Sequence, residues 1–528
     1  MTTEEFEKRH PLYESFLADW KYYIHSYLGG RYYREGNYLI QHPFESDANY
    51  ARRKATACFY NYCSPIVDIL VSYLYWKSPE RQYGTLSTAT VPPRAPTNLF
   101  ESFWWDVDYE GSTFDQFMRK AQRYAGIYGR VSVIVDKPQV VALSLAETLE
   151  MDVRPYLSCL TPENLLDWNY TVQFGRPVLD YVKIAEEWGG SAPSAVRIWT
   201  RYAWQLWQTS VEGKDKKVFL ADEGEHGLGE VPIVNIYNRR SGTRMIGISD
   251  LQDIADINRN IYYLCSDARE IIENTAFPML AMPFEKGAGG TQKVGSSNIL
   301  EFDPEQPNSR PFWLEAPHSS LSEIREWIAQ DTQEIARIAR MGGLRNTETS
   351  VQPWTGVAIR TQMEQLKSSL VEKADNAEQA ELDILRLWSK WQGEKFTGDV
   401  GYQKAFDIED LTNALDNAIK AVNGKVKSVA FEKERQKKVV SSVMPELDEA
   451  KRVVIFDEID EKTNEFGNTE EGQIYEYHLK TVGGLIKKNE MRKRLGLEPL
   501  GKGGDEFVEI DNGQAQSTPA AASANQGA

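Results

Sequence analysis

Cysteine is scarce in this chain of 528 residues, which has only four: Cys58, Cys63, Cys159 and Cys265. Four thiols cannot hold so long a chain together as a disulfide framework, and none forms a Cys-x-x-Cys pair with a second pair downstream. We therefore expect the protein to be made in a reducing, cytosolic compartment. Cys58 and Cys63 fall in an apolar, aromatic helical segment, where we expect both thiols to pack in the core rather than bind a metal.

Long apolar runs are also missing. Mean hydropathy is −0.50, and no uninterrupted apolar stretch approaches the roughly 20 residues that cross a bilayer. The first residues, MTTEEFEKRHPLYESF, carry acids where a secretory signal has a basic end followed by an apolar stretch. We therefore expect a protein without a membrane span, whose mature chain begins at or near Met1.

The chain has no excess of basic residues. Lys and Arg number 60 against 77 Asp and Glu, and the formal net charge is −17. A protein that coats nucleic acid by neutralising phosphates needs clustered cations, so this balance argues against that class. It does not exclude a protein past which nucleic acid moves without adhering. The hydrophobic fraction of 41% suffices for a folded core, and the length exceeds that of one ordinary domain.

Catalytic signatures are absent from the sequence. It contains no Gly-x-Ser-x-Gly turn for a nucleophile, and its six histidines show neither HExxH nor HxH spacing. The glycine-rich run 287–290 lacks the Lys-Ser/Thr that contacts phosphate and magnesium, so we interpret it as a β-turn. We expect no catalytic residues, no cofactor and no metal, and hence a protein that is not an enzyme.

The first half of the chain shows helical and strand patterns in turn. Apolar residues recur every three or four positions through Asp47–Leu74 and predict one helix face, and Phe114–Tyr128 is predicted as a second helix. Proline, serine and threonine predict a surface linker over Ser78–Asn98. Strands are predicted at Val131–Val135, Val140–Leu145, Leu179–Ile184, Val196–Thr200, Trp204–Gln208 and Val231–Ile236. These patterns predict a helix-rich α+β protein.

The second half is dominated by longer helices. Ser249 is a suitable N-cap for a helix of roughly 25 residues that stops before Pro278, and a second helix is predicted from Ser319 to about Met341. Short β runs lie between the two. A very long helix is predicted for about Thr355–Gln392, with a heptad-like apolar stripe that Glu381 interrupts. The charged remainder predicts helices at Asp407–Val422, Val429–Val443 and Thr469–Leu495, before a tail that composition predicts to be disordered.

This order of segments resembles that of portal proteins, the head-to-tail connectors of tailed bacteriophages. The start HPLY (10–13), YLIQHPFES (38–46) and YARRKATACFYNY (50–62) are similar to the opening of one portal branch. The run GISDLQDIADINRNIYYLCSD (247–267) resembles the phrase that begins the family's first stem helix. GGLIKKNEMRKRLGL (483–497) resembles its C-terminal helix–turn–helix phrase. The resemblance covers essentially residues 1–500.

The resemblance implies a portal fold divided into wing, stem, clip and crown. The implied boundaries are wing 1–248, first stem helix 249–277, clip 278–318, second stem helix 319–341, tunnel loop 342–354, long wing helix 355–399, crown 400–510 and disordered tail 511–528.

The resemblance also implies a function. Portal proteins form a dodecameric ring at one capsid vertex of the virion, through which double-stranded DNA is packaged and ejected. The implied partners are copies of the chain itself, the terminase large subunit, the major capsid protein and scaffold, and a head-completion or adaptor protein. The ring has no ATPase of its own.

Two sets of residues are candidates for lining the DNA channel. The tunnel-loop candidates are Arg345, Asn346, Thr347, Glu348, Thr349 and Gln352. The clip candidates are Lys286 and Lys293, for which exposure to solvent outside the ring is the alternative. An acidic protein with few, spaced cations suits a channel, since each phosphate contact adds affinity that must be broken at every step of translocation.

Two other functions are open. A terminase or nuclease of the phage head would require a phosphate loop or a cluster of metal-binding acids, and the sequence contains neither signature. A capsid-associated scaffold or adaptor that binds only protein would not form a ring with a channel wide enough for duplex DNA. Observation of such a ring discriminates this last alternative from a portal.

Overall fold

The structure is a computed structural model of the whole chain. It describes residues 1–87, 91–94, 96–139, 151–189, 192–212, 215–276, 279–283, 300–302, 312–314, 319–340, 356–404 and 449–461, together with a few single positions between 406 and 501. The chain divides into two units, Met1–Phe406 and Asp407–Ala528.

The described part contains both helices and strands, which confirms the α+β class. The helices are α1 (Thr3–Glu7), α2 (Pro11–Leu28), α3 (Arg31–Glu35), α4 (Asp47–Thr56), α5 (Cys63–Leu74), α6 (Leu99–Trp105), α7 (Phe114–Tyr128), α8 (Ile254–Ala276), α9 (Ser319–Ile338), α10 (Gly356–Trp391) and α11 (Glu449–Glu461). None of these helices is long and apolar enough to cross a membrane.

The strands in the described residues form four sheets. They are β1 (Glu80–Gln82), β2 (Arg130–Asp136), β3 (Tyr156–Leu160), β4 (Leu165–Gln173), β5 (Arg176–Gly189), β6 (Ala192–Thr200), β7 (Ala203–Glu212), β8 (Asp215–Glu225), β9 (Ile233–Tyr237), β10 (Met279–Pro283), β11 (Leu300–Phe302), β12 (Phe312–Leu314) and β13 (Asp399–Gly401). Strands β4 to β8 form an antiparallel meander, and β3-β2-β9 form a second antiparallel sheet.

The segment Asp47–Leu74 is two helices, so the prediction of a single helix face is wrong. Helix α4 ends before Ala57, whose backbone is extended, and α5 begins at Cys63. The intervening residues bond to other parts of the chain: Asn61 donates to the carbonyl oxygen of Tyr27 at 2.7 Å and accepts from the Ser64 N–H at 3.0 Å. The Tyr62 N–H also donates to the side chain of Asn258 at 3.0 Å, so the connection is bonded to distant parts of the chain.

The break separates the two cysteines of this segment. Cys63 is buried in the first turn of α5, as expected, whereas Cys58 is exposed in the connection. The expectation that Cys58 packs in the core is therefore wrong, because it depended on a helix that ends before this residue.

We call the helices and strands that precede α8 the body. Helix α7 and strand β2 lie at its centre. Helix α7 has the predicted bounds, with a Thr113 capping box at its start and Gly129 in a left-handed conformation at its end. Val131, Val133 and Val135 of β2 belong to the core shared with α7 and α10, whereas Ile134 belongs to the core on the other face of the sheet. Because successive side chains of β2 point to opposite faces of the sheet, the strand contributes to both hydrophobic cores.

Most predicted strands are confirmed within longer ones. Those at 131–135, 179–184, 196–200 and 204–208 fall inside β2, β5, β6 and β7, and that at 231–236 overlaps β9. The prediction for Val140–Leu145 lies outside the described residues. The polar edge strand β8 escaped prediction because its sequence, DKKVFLADEGE, has few apolar residues.

The segment Ser78–Asn98 is more than a surface linker. Within it, β1 pairs antiparallel with β13, which lies more than 300 residues further along the chain. Arg81 at the centre of β1 is only 4% exposed. Local composition could not reveal this strand, because its partner is so distant in sequence.

Helices α8 and α9 form an antiparallel hairpin. Asn260 of α8 donates to Asp331 of α9 at 2.7 Å, and Ile254 and Ile338, from the first turn of α8 and the last of α9, line one pocket. Between them, β10 pairs parallel with β11 and antiparallel with β12. Helix α8 begins five residues later than Ser249, whose hydroxyl instead accepts from the Leu251 N–H in a preceding turn.

The long helix α10 matches its predicted bounds within one residue and extends about 54 Å at 1.5 Å per residue. In the second unit, α11 was not predicted. Positions 433, 437 and 440 are helical, within the predicted helix Val429–Val443. The predicted helix Asp407–Val422 and most of Thr469–Leu495, like the tail 511–528, lie outside the described residues.

Gly247 makes a close backbone contact that permits no side chain. A Cβ on this residue would overlap the carbonyl group of Gly129. We predict that Gly247→Ala lowers the free energy of unfolding by about 3 kcal/mol, since two backbone segments would have to separate. Chemical denaturation measures this loss. Gly242→Ala, where an added Cβ meets no atom within 4 Å, is the matched control, and equal losses in both variants would contradict the prediction.

Candidate functional site

The root of the α8–α9 hairpin is the region where it joins the α+β body. Here the chain from Gly247 to Leu251 lies against the end of α7. Ser249 donates to the carbonyl oxygen of Ile127 at 2.5 Å, and the Asp250 N–H donates to that of Gly126 at 2.9 Å. These bonds use α7 carbonyl groups that have no partner within their own helix. The entry of the hairpin is thereby tied to the most deeply buried helix of the body.

A buried cation joins the hairpin root to the long helix. Lys373 of α10 is 4% exposed and lies with its Nζ 2.5 Å from the Oδ2 of Asp250. It also donates to the side chain of Asn238, which itself donates to Asp250 at 2.9 Å. Burial lowers the pKa of Lys373, and attraction to Asp250 acts in the opposite sense. The segments that contain Asn238, Asp250 and Lys373 therefore meet at one buried, hydrogen-bonded ion pair.

A second buried pair lies in the N-terminal region and bonds to α8. Arg53 of α4 forms a two-pronged pair with Glu45, with bonds of 2.9 and 2.8 Å, and donates to Ser266 of α8 at 3.3 Å. The hydrogen bonds from Arg53 lower the pKa of Glu45, despite the opposing effect of burial. The pair is ionised at neutral pH and stabilises the segment 40–53 against α8.

A third buried group explains the acid that interrupts the stripe of α10. Glu381 is fully buried and pairs with Arg81 of β1 through both carboxylate oxygens. Arg81 also lies 2.5 Å from Asp115, and Tyr402 donates to Glu381 at 2.7 Å. Burial lowers the pKa of Arg81, but attraction and hydrogen bonding to Glu381 act together in the opposite sense, and the pKa is raised above its ordinary value. Glu381 therefore holds α10 against β1 through a buried ion pair.

A pocket of about 180 Å³ lies at the hairpin root. Ile66 and Leu70 of α5 contribute to one wall, and Arg239, Asp250 and Asp253 contribute to its polar lining. Among the residues that the structure describes, no group of three or more His, Cys, Asp or Glu side chains could hold a metal ion. The described residues that line the pocket include no histidine and no cysteine.

The hairpin leaves large apolar side chains uncovered. Trp327 of α9 is 55% exposed and Ile272 of α8 is 52% exposed. Each of the two helices also carries four acidic and two basic residues. Several of the basic side chains pair with acids of the same helix, such as Arg269 with Glu273 at 3.2 Å and Arg337 with Glu334 at 2.7 Å. The outer surface of the hairpin is thus acidic, with a few large exposed apolar side chains.

The predicted channel residues cannot be placed. Arg345, Asn346, Thr347, Glu348, Thr349 and Gln352 of the predicted tunnel loop, and Lys286 and Lys293 of the predicted clip, lie outside the described residues.

The residues that join hairpin and body were not foreseen. Lys373 and Arg81 have no distinctive local motif, since their acidic partners lie in distant parts of the chain. Arg53 pairs with Glu45 eight residues away, but its bond to α8 goes to the distant Ser266. One signal was available: an acid at Glu381 in an otherwise apolar stripe implies a buried cationic partner. The sequence does not reveal which cation.

Comparison with known families yields one partial match. A family model described as a domain of unknown function, DUF4055, matches residues 250–392, which span α8, the sheet β10–β12, α9 and α10. No curated protein matches the chain significantly.

Comparison with solved structures yields remote similarities. A chain of the virion of a native gene transfer agent particle overlaps with a TM-score of 0.35 at 11% identity, over 83% of this chain and 98% of the other. A chain from the neck of the empty particle, computed with C6 symmetry, gives 0.33 at 11% identity, over 81% and 99%. A chain from the neck of the native particle, computed with C12 symmetry, gives 0.32 at 10% identity, over 74% and 88%.

The pair Arg81–Glu381 generates a prediction about stability. We expect Glu381→Gln to lower the free energy of unfolding by about 3 kcal/mol, because it leaves a buried guanidinium with a weakened set of acidic partners. The double variant Arg81→Met/Glu381→Leu, which removes both charges, should lose less. Urea denaturation of both variants measures the difference.

Glu230→Gln is the matched control for this substitution. Glu230 also pairs with two cations, Arg386 at 2.8 Å and Lys390 at 2.6 Å, but those cations are 48% and 41% exposed. Exposed pairs contribute about 1 kcal/mol or less. If Glu230→Gln and Glu381→Gln destabilised the protein equally, the importance assigned to the buried pair would be wrong.

Proposed function

We propose that this chain is the portal protein of a tailed-phage particle. In this proposal, twelve copies form a ring at one capsid vertex of the virion, and double-stranded DNA passes through the ring during packaging and ejection. The ring docks the terminase large subunit during packaging and a head-completion or adaptor protein afterwards. It contacts the major capsid protein and scaffold at the vertex. The chain itself performs no catalysis, and the motor is the terminase.

The observation that carries the proposal is the antiparallel hairpin. Its helices are joined by a small sheet, its root is tied to an α+β body by buried charges, and its sides expose Trp327 and Ile272. A helix pair in this state has apolar surface that one copy cannot bury, and packing beside further copies would cover it. This fits the order of wing, stem and clip that the sequence resemblance implies.

The regions of the portal map onto the elements as follows. We assign the body that precedes α8 to the wing, α8 and α9 to the stem, and β10–β12 to the clip. Residues 342–354 would be the tunnel loop, α10 the long wing helix and 400–510 the crown. The tunnel loop would then follow directly on the stem helix α9.

The charge of the hairpin supports passage of DNA rather than binding. Four acids against two bases on each helix give the stem a net negative charge. Non-specific DNA affinity arises from phosphate neutralisation by cations, each of which releases counterions. A stem whose basic residues are outnumbered and partly paired offers few such contacts. This favours a conduit through which DNA slides.

The purified full-length protein should form hollow rings with high rotational symmetry. Negative-stain microscopy and native mass spectrometry test this, with rings of about twelve copies expected and a central opening wide enough for duplex DNA. Assembly should be tested over a range of protein concentrations, because association follows mass action. A chain that binds other capsid proteins in the particle but forms no channel at any concentration would instead be a scaffold or adaptor.

Arg345 generates a second prediction. It is the one basic residue in the proposed tunnel loop 342–354. Its reversal in Arg345→Glu should reduce the amount of DNA packaged per particle several-fold, since an acid would repel the passing phosphates. Ring formation should be unchanged. Packaged DNA is measured by nuclease protection.

The control for Arg345→Glu is Lys21→Glu, a charge reversal of an exposed residue of α2 in the body. This variant should package normally. Normal packaging by Arg345→Glu, or an equal defect in both variants, would contradict the role given to the loop.

A further inference from the structure

Phe44 lies in a turn whose backbone does not suit it. The reversal His42-Pro43-Phe44-Glu45 is closed by a bond of 3.1 Å from the Glu45 N–H to the carbonyl oxygen of His42. Phe44 has a φ of 71°, in the left-handed region. With proline before it, Phe44 occupies the position of a type II turn that glycine or asparagine usually fills. A bulky side chain at this position is strained.

The surrounding structure holds the turn in place. Glu45 forms the buried two-pronged pair with Arg53, and its Oε2 also accepts from the His42 N–H at 3.0 Å. Gln41 donates to the carbonyl oxygen of Glu45 at 2.9 Å. Strained backbone persists where neighbouring bonds over-determine it, and such positions cluster at functional sites. The turn is therefore rigid as well as strained.

Within one copy of the chain, the strained conformation of Phe44 brings its side chain no stabilising contact. Phe44 is 108% exposed, so its ring packs against no core, and Ile40 beside it is 68% exposed. Glycine at this position would remove the strain without losing a contact. A rigid display of an aromatic ring in solvent is a feature of a contact surface for another protein.

The turn sits on the stem hairpin. His42 Nε2 lies 3.1 Å from Asp267 of α8, and Arg53 bonds to the adjacent Ser266. The pair Asn260–Asp331 sets the register of the hairpin. Seven residues further along each antiparallel helix, Asp267 is level with residue 324 of α9.

Three exposed apolar side chains therefore lie within one region of the hairpin. At 1.5 Å per residue, Trp327 lies about 5 Å to one side of the level of Asp267 and Ile272 about 8 Å to the other, so the two are about 12 Å apart along the hairpin. Phe44 stands at that level because its turn contacts Asp267. We call Phe44, Ile272 and Trp327 the apolar band. The helices of the hairpin are roughly 30 to 35 Å long, so the band occupies about a third of their length.

We propose that Phe44 docks against the stem hairpin of a second copy of this chain. This inference rests on the proposed ring assembly. Closed rotational symmetry places the same band of every copy at the same height, so that the apolar side chains of one band are level with those of the neighbouring bands. The strained turn fixes the ring of Phe44 before contact, which reduces the conformational entropy lost on assembly.

The test replaces Phe44 with glycine in the full-length chain. Phe44→Gly should raise the melting temperature of the unassembled chain, because glycine relieves the strain, yet raise the protein concentration required for half-assembly at least tenfold. A buried aromatic contact at each interface accounts for a change of this size. Native mass spectrometry across a dilution series measures assembly, and circular dichroism measures melting.

The chain offers a matched control in Phe174. It is 103% exposed and has a φ of 50°, but it lies at the tip of the turn between β4 and β5. Phe174→Gly should also raise the melting temperature, while leaving the assembly concentration unchanged. Opposite effects on stability and assembly in Phe44→Gly alone distinguish a docking residue from a merely strained one.

A cross-linking experiment identifies what Phe44 touches. A photoreactive benzoylphenylalanine at position 44 of the assembled protein should cross-link to α8 or α9 of a second copy, whereas the same group at position 174 should not. Cross-links only to a different particle protein would overturn the inference, as would unchanged assembly of Phe44→Gly when the wild type forms rings. If the wild type formed no ring at all, the proposed function itself would fail and this inference with it.

Discussion

The attachment of the hairpin depends on the bond between Lys373 and Asp250. A buried lysine without a partner would lose its charge or leave the interior, so the structure is consistent only when α10 and the hairpin root meet. Asn238 completes the group, and Ser249 ties the same segment to the end of α7. One polar cluster thus fixes the long helix, the start of α8 and the central sheet of the body relative to one another.

The other buried pairs follow the same rule at greater distances along the sequence. Arg81 and Glu381 are 300 residues apart, and Arg53 reaches Ser266 across 213. Each pair costs desolvation energy, so its net contribution to stability is smaller than its geometry suggests. Its value lies in specificity, since a shifted register of α10 would leave Glu381 buried without a cation. The hairpin consequently leaves the body in one defined arrangement.

Local sequence patterns predicted single helices and strands whose apolar residues recur at regular spacing. Helix α7 has the predicted bounds and α10 differs by one residue at each end, because their apolar stripes are long and regular. The same criterion failed at Asp47–Leu74, where the spacing continues across a break that Asn61 stabilises through bonds to Tyr27 and Ser64. It also missed β1 and the buried pairs. The strand β1 and the pairs Lys373–Asp250 and Arg81–Glu381 depend on partners far along the chain. The acid at Glu381 within an apolar stripe was the one departure from the sequence pattern that pointed to such a partner.

Two opposed forces act on hairpins that stand side by side. Each carries more acids than bases, so neighbouring copies repel, but salt screens this repulsion beyond about 8 to 10 Å. Burial of an aromatic or large aliphatic side chain contributes about 1.5 to 3 kcal/mol and acts only at contact. An acidic surface with an apolar band therefore suits copies that must adhere to one another at a few points while offering little to a polyanion. In the proposed ring the two properties are complementary: the acids limit adhesion to DNA, and the band, including the rigid ring of Phe44, supplies the cohesion that the acids oppose.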